Sequence, residues 1–189
     1  GAHLGFNDKL PVAAYQCGAD IVIESAHKTL SAMTQTAFLH VMGERVDIKK
    51  IEKYLSVFQS SSPSYVLMAS LYNCVANLKK NGVSKQNRQL ECIDKFLQKT
   101  KGLRNLQIFK EDNIGNKSIF AYDKTKIVIG IKTNIIDDNI LMSILREKYS
   151  FEMEMASLKY VVAITSMEDD EKAIMKLADA LIEIDKELE

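Results

Sequence analysis

Apolar and polar positions along the chain form short runs first and helical stripes later. Ile21-Val22-Ile23 within Asp20–Glu24, and Thr36–Met42 before Gly43, are brief apolar runs bounded by small or polar residues, a pattern that predicts two buried strands. Residues 1–9 read as a loop, and Pro11 to Gln16 as a helical turn ended by Gly18. Asp47 is suited to cap a helix carrying Ile48, Ile51, Leu55 and Phe58 on one stripe. Gln59–Ser62 breaks that helix. Pro63, at a first-turn position, opens a longer one through Lys80, closed by Asn81-Gly82. Ser84 then caps a helix with Leu90, Ile93, Phe96 and Leu97 on its buried face, ending at Gly102.

Beyond Gly102 strands and helices alternate. Leu106–Phe109, Ile127–Ile131 and Tyr160–Thr165 read as strands. A helix starting at Asp137 or Asp138 turns Ile140, Leu141, Ile144 and Leu145 inward. The last, from about Asp169, aligns Ile174, Leu177, Leu181, Ile184 and Leu188, with acidic residues at its start to favour the helix dipole. The expectation is an α/β protein whose second part is a sheet of three or four strands covered by helices. The boundary falls in the 82–103 stretch and is drawn at 82/83, giving domains 1–82 and 83–189.

Composition narrows the function classes. Of 189 residues, 47% are hydrophobic and 26% charged, with 25 basic against 25 acidic, so no charge imbalance points to nucleic acid or an anionic membrane. No apolar run approaches the roughly 20 residues of a membrane helix. Cys17, Cys74 and Cys92 are odd in number and scattered, as are His3, His27 and His40. That spacing argues against a metal site and for reduced thiols in the cytoplasm, read as small buried apolar residues.

The candidate chemistry sits after the first strand. Lys28, flanked by Ser25, His27 and Thr29, would be delivered by that strand into an enclosed site, where desolvation lowers the amine's pKa toward Schiff-base formation. On this pattern alone a solvated strand end is the commoner outcome.

Five stretches add a resemblance. They are Gly1-Ala2-His3-Leu4-Gly5-Phe6; Ser25-Ala26-His27-Lys28-Thr29-Leu30 with Thr34–Ala37 and Leu39–Val41; Phe58 to Leu71; Tyr122–Ile127; and Leu145 to Glu154. In this order they resemble the ornithine/lysine/arginine decarboxylase family. The resemblance implies part of an aspartate-aminotransferase-like large domain followed by a small two-layer α/β domain. It implies pyridoxal 5'-phosphate as cofactor, Lys28 as its Schiff-base residue, Ser25 and His27 at its phosphate, and His27 as a possible proton donor to the substrate carbon. Ser61 and Ser62, in Ser60-Ser61-Ser62-Pro63, resemble the segment that reaches the phosphate of a neighbouring subunit, although an ordinary helix cap fits them equally. Glu152 and Glu154, at strand-like alternation, could meet the distal cation of a basic amino acid, but a solvated face is the plainer reading.

Implied partners are a basic amino-acid substrate and a second copy of the chain, as a homodimer or higher oligomer. Gly1-Ala2-His3 reads as interior sequence, since the family's pyridine-pairing aspartate would lie just before it. The expectation is therefore a fragment, inactive alone. A competing expectation is a truncated, non-catalytic homologue acting as a dimerisation unit through residues 47–80. An aminotransferase or another carbon–carbon lyase on the same fold ranks third.

Overall fold

The first two apolar runs pair with each other. β1 (Ile21–Ser25) and β2 (Ala37–Val41) form an antiparallel two-stranded sheet, with Ile21 opposite Val41, Ile23 opposite Leu39 and Ser25 opposite Ala37. The structure is a computed structural model and describes residues 1–110 and 119–189. Within it the chain divides into two compact units, Gly1–Ser84 and Lys85–Glu189.

The expectation of two buried strands does not hold. Successive side chains point to opposite faces of a strand, and this sheet is covered on one face: Val22 is buried, whereas Ile23 is 73% exposed and Leu39 39% exposed. α1 (Ala26–Thr29) is a single turn directly after β1. α2 (Ile48–Phe58) is capped by Asp47 as expected, its side chain accepting from Lys50 N at 3.3 Å. Its apolar stripe is present but not covered, since no residue of α2 is buried and Phe58 is 81% exposed.

α3 (Tyr65–Lys99) corrects two expectations. Ser64 stands at its cap, with its hydroxyl 3.4 Å from Leu67 N, so Pro63 lies outside the helix and not in its first turn. The helix also passes through Asn81-Gly82 without stopping. Asn81 Nδ2 donates to Asn77 Oδ1 one turn back at 2.9 Å, and Ser84 Oγ donates to Asn81 O at 2.9 Å, in place of capping a new helix. A helical glycine costs only about 1 kcal/mol relative to alanine. The apolar residues that follow on the same helix (Leu90, Cys92, Ile93 and Phe96, all buried) outweigh it.

The second unit holds the larger core. β3 (Leu106–Ile108), β4 (Lys126–Ile131), β5 (Met155–Ser157) and β6 (Tyr160–Ile164) form an antiparallel sheet in the order β3-β4-β6-β5. Ile127, Ile129 and Ile131 of β4, with Val161 and Ala163 of β6, face the helices. α4 (Asp138–Tyr149) buries Leu141 and Leu145 and leaves Ile140 45% exposed, contrary to expectation. α5 (Glu171–Glu187) buries Ile174, Leu177, Leu181 and Ile184, and Leu188 just beyond it is buried too.

Candidate functional site

Ser25, His27 and Lys28 share one turn because β1 runs without a loop into α1. Ala26 and Thr29 anchor that turn from below, both buried, which turns Lys28 outward and leaves His27 half-buried. Ser25 occupies the cap position, yet its hydroxyl oxygen accepts no cap bond from the helix.

The following loop closes on the turn. Ala26 N donates to Thr36 O at 3.1 Å, and His27 Nδ1 lies 2.9 Å from the same oxygen. A carbonyl oxygen only accepts, so Nδ1 carries the hydrogen. Nε2 is then left for a ligand, as an acceptor when the ring is neutral and a donor when it is charged. Thr36 is itself buried, and its Oγ1 donates to Met33 O at 2.6 Å. Gln35, just before it, has φ 75°, the left-handed conformation that lets the loop double back.

Lys28 is exposed and not enclosed as expected. The cause is the one that exposes Ile23. With β2 as its partner in a two-stranded sheet, β1 does not end inside a core, and the turn after it emerges at a surface.

Ser61 and Ser62 lie on the exposed turn between α2 and α3. There Ser60 Oγ accepts from Ser62 N and donates to Ser62 O, both at 3.2 Å. The Ser62 amide is thus used within the turn, as in an ordinary helix entry. Glu152 is held by Arg146, whose Nε donates to Oε2 at 2.8 Å, and both Glu152 and Glu154 precede β5 without being part of it. Cys74 and Cys92 are buried as expected, and burial pushes the Cys92 thiol up. Cys17 is exposed, contrary to expectation, because it closes the short helical turn before Gly18.

Sequence reasoning passed over one polar pair in the first unit. Glu24 Oε2 lies 3.3 Å from His40 Nε2, beside an apolar groove of about 540 Å³ lined in part by Leu4, Phe6, Tyr15 and Phe38. The register Glu24↔Phe38 sets the pair on one face, a relation that no local pattern records. Among the described residues no helix is long and apolar enough to cross a membrane.

The family profile described as the Orn/Lys/Arg decarboxylase major domain matches residues 1–146. The chain belongs to the Orn/Lys/Arg decarboxylase family. Its similarity to the arginine decarboxylase of Bacillus subtilis (strain 168) is 28% identity over 188 residues, covering 100% of this chain and 38% of that protein. The arginine decarboxylase of Halalkalibacterium halodurans is 30% identical over 184 residues, 97% of this chain and 38% of its own length. The crystal structure of a Francisella novicida lysine decarboxylase superposes with a TM-score of 0.74 at 16% identity, over 88% of this chain and 28% of the other, a likeness of fold. The chain thus spans under two-fifths of the curated decarboxylases it matches. The mixed α/β fold of this member of the Orn/Lys/Arg decarboxylase family matches part of solved lysine decarboxylase structures.

Proposed function

We propose that this chain is the lysine-bearing segment of a pyridoxal-phosphate-dependent decarboxylase acting on lysine, arginine or ornithine. In this reading residues 1–82 are the later part of an aspartate-aminotransferase-like large domain and 83–189 a small α/β domain. The complete enzyme is then a cytoplasmic homodimer or higher oligomer, and this stretch alone does not turn over substrate.

The observation that carries the reading is the continuous β1–α1 turn, which presents Ser25, His27 and Lys28 together. The donor set fits the cofactor: a hydroxyl and an imidazole for a phosphate, and a primary amine for an aldehyde. When bound, pyridoxal phosphate supplies the electron sink for loss of the substrate carboxylate. The protein's part is to bind and orient. Lys28 would hold the cofactor aldehyde through its primary amine, which acts as a nucleophile only once it has given up a proton. Ser25 donates to the phosphate. His27, whose Nδ1 proton is committed to Thr36 O, takes up or gives up a further proton only at Nε2. Exposure of Lys28 supports inactivity of the chain alone, because an open surface does not enclose the amine together with its cofactor.

Treating the chain with pyridoxal phosphate and borohydride, followed by peptide mapping, tests the assignment. A reduced adduct concentrated on Lys28 and lost in Lys28→Ala is the expected result. Labelling spread evenly over surface lysines removes its basis. Brisk release of CO₂ from lysine, arginine or ornithine by the chain alone overturns the inactive part of the reading.

A second reading is favoured by the uncovered apolar residues of the first unit, including Ile48 and Phe58 of α2 and Tyr72 of α3. A non-catalytic homologue that pairs with complete subunits would cover them. Sedimentation with and without an intact decarboxylase separates the two readings.

A further inference from the structure

Ser70 lies on α3, far in sequence from the lysine turn, yet its Oγ accepts from the backbone N of Met33 at 2.7 Å. From Met33 the bonding continues without interruption. Met33 O accepts from Thr36 N at 3.2 Å and from Thr36 Oγ1 at 2.6 Å. Thr36 O in turn accepts from Ala26 N at 3.1 Å and lies 2.9 Å from His27 Nδ1. A second tether runs parallel to the first, with Asn77 Nδ2 donating to Ser31 Oγ at 3.4 Å.

We infer that Ser70 is a positioning residue for His27, acting through Met33 and the Thr36 carbonyl to keep the imidazole proton on Nδ1 and Nε2 open to a ligand. The inference rests on the role proposed above for His27, but its physical content concerns the ring alone. A histidine without a partner mostly carries its proton on Nε2. Reversing that preference requires an acceptor fixed opposite Nδ1. Thr36 O is such an acceptor only while its peptide is oriented. That orientation depends on a buried threonine whose two donors both end on Met33 O, and on a serine of α3 that holds Met33 from the other side. Met33 itself is 52% exposed, so its side chain does not anchor the loop and the backbone bond to Ser70 does.

Long-range ¹H–¹⁵N correlation spectra of the histidine rings, recorded on the whole chain near neutral pH without cofactor, read the tautomer of His27 directly. In the unaltered chain the proton is expected on Nδ1. In Ser70→Ala the ratio of Nδ1–H to Nε2–H should fall about fivefold, in keeping with one ordinary hydrogen bond. Ser70→Thr, which keeps the hydroxyl, should restore it. Thr36→Val is the second variant. It removes the Oγ1 bond to Met33 O with little change in shape, leaving the carbonyl held through its backbone alone, and it decides the matter should Ser70→Ala unfold. The inference is overturned by an Nε2–H ring in the unaltered chain, or by a ratio that stays unchanged in folded Ser70→Ala or Thr36→Val. Failure of borohydride labelling at Lys28 would instead sink the cofactor assignment while leaving the tautomer result intact.

Discussion

Asp185, near the end of α5, accepts the backbone N–H of Leu106 at the first residue of β3, Oδ1 to N at 2.7 Å. The same carboxylate takes the two preceding amides, Asn105 N on Oδ1 and Arg104 N on Oδ2, both at 2.8 Å. Three successive donors at the start of an edge strand have no ladder partner of their own. A buried carboxylate, 5% exposed, satisfies all three.

Asp185→Ala leaves those amides, buried at Leu106 and part-buried at Asn105 and Arg104, without their acceptor. The expected cost is about 3 kcal/mol, the range for losing charge-assisted bonds from buried donors. Asp185→Asn keeps an acceptor but sets an NH₂ group against an amide, and should cost somewhat less. Urea unfolding followed by circular dichroism measures both, and a loss under about 0.5 kcal/mol for the alanine variant would contradict the role.

The two-residue turn between β5 and β6 carries Leu158 and Lys159 at φ 46° and 68°, with Ser157 opposite Tyr160. This is the backbone that Asn-Gly adopts with least strain. Leu158 is 87% exposed, so its replacement forfeits little packing. Substituting Asn-Gly for Leu158-Lys159 should raise stability by about 1–2 kcal/mol, visible as a higher melting temperature.

Gly82 distinguishes a continuous α3 from a helix that stops there. A Cβ built on it would meet Leu78 Cδ2 at 3.5 Å, an ordinary contact, and its φ is not positive. Gly82→Ala should therefore stabilise by about 1 kcal/mol. A glycine serving as a left-handed helix end would give the opposite sign, so the direction of the thermal shift decides.

Two surface networks contribute to the response to pH. The hydrogen bond to Arg146 holds the Glu152 carboxyl below its ordinary 4.5, and the bond to Lys148 does the same for Glu183. Depressed carboxylates contribute stability that is fully present above about pH 4.5 and is lost as pH falls through the lower folded value. Lys148, raised by its bonds to Glu187 and Glu183, contributes below its ordinary 10.5 and loses that only at higher pH. The combined variant Glu152→Gln, Glu183→Gln should flatten the acid limb of a stability–pH curve below about pH 4.5. These groups are exposed, so the difference should shrink in 1 M salt.

Local chemistry was legible wherever it involved near neighbours in sequence. Asp47 and Asp137 cap their helices as expected, and the stripe of α5 is buried along its length, because caps and helical periodicity act within a turn or two. Lys28, His27 and Ser25 could be nominated from the residues after β1 and from the family likeness. The bonds that orient His27 could not, since Ser70 meets Met33 across 37 positions and leaves no periodic trace.

By itself the sequence determined family membership, the caps at Asp47 and Asp137 and the core stripe of α5, all carried by residue identity and short spacing. Tertiary structure alone decided which face of β1 is covered, that α3 runs through Gly82, that Lys28 is exposed, and which carbonyl holds His27. Those outcomes depend on what packs against each element. Burial and long-range hydrogen bonding are properties of a pair of segments, and neither segment encodes them alone.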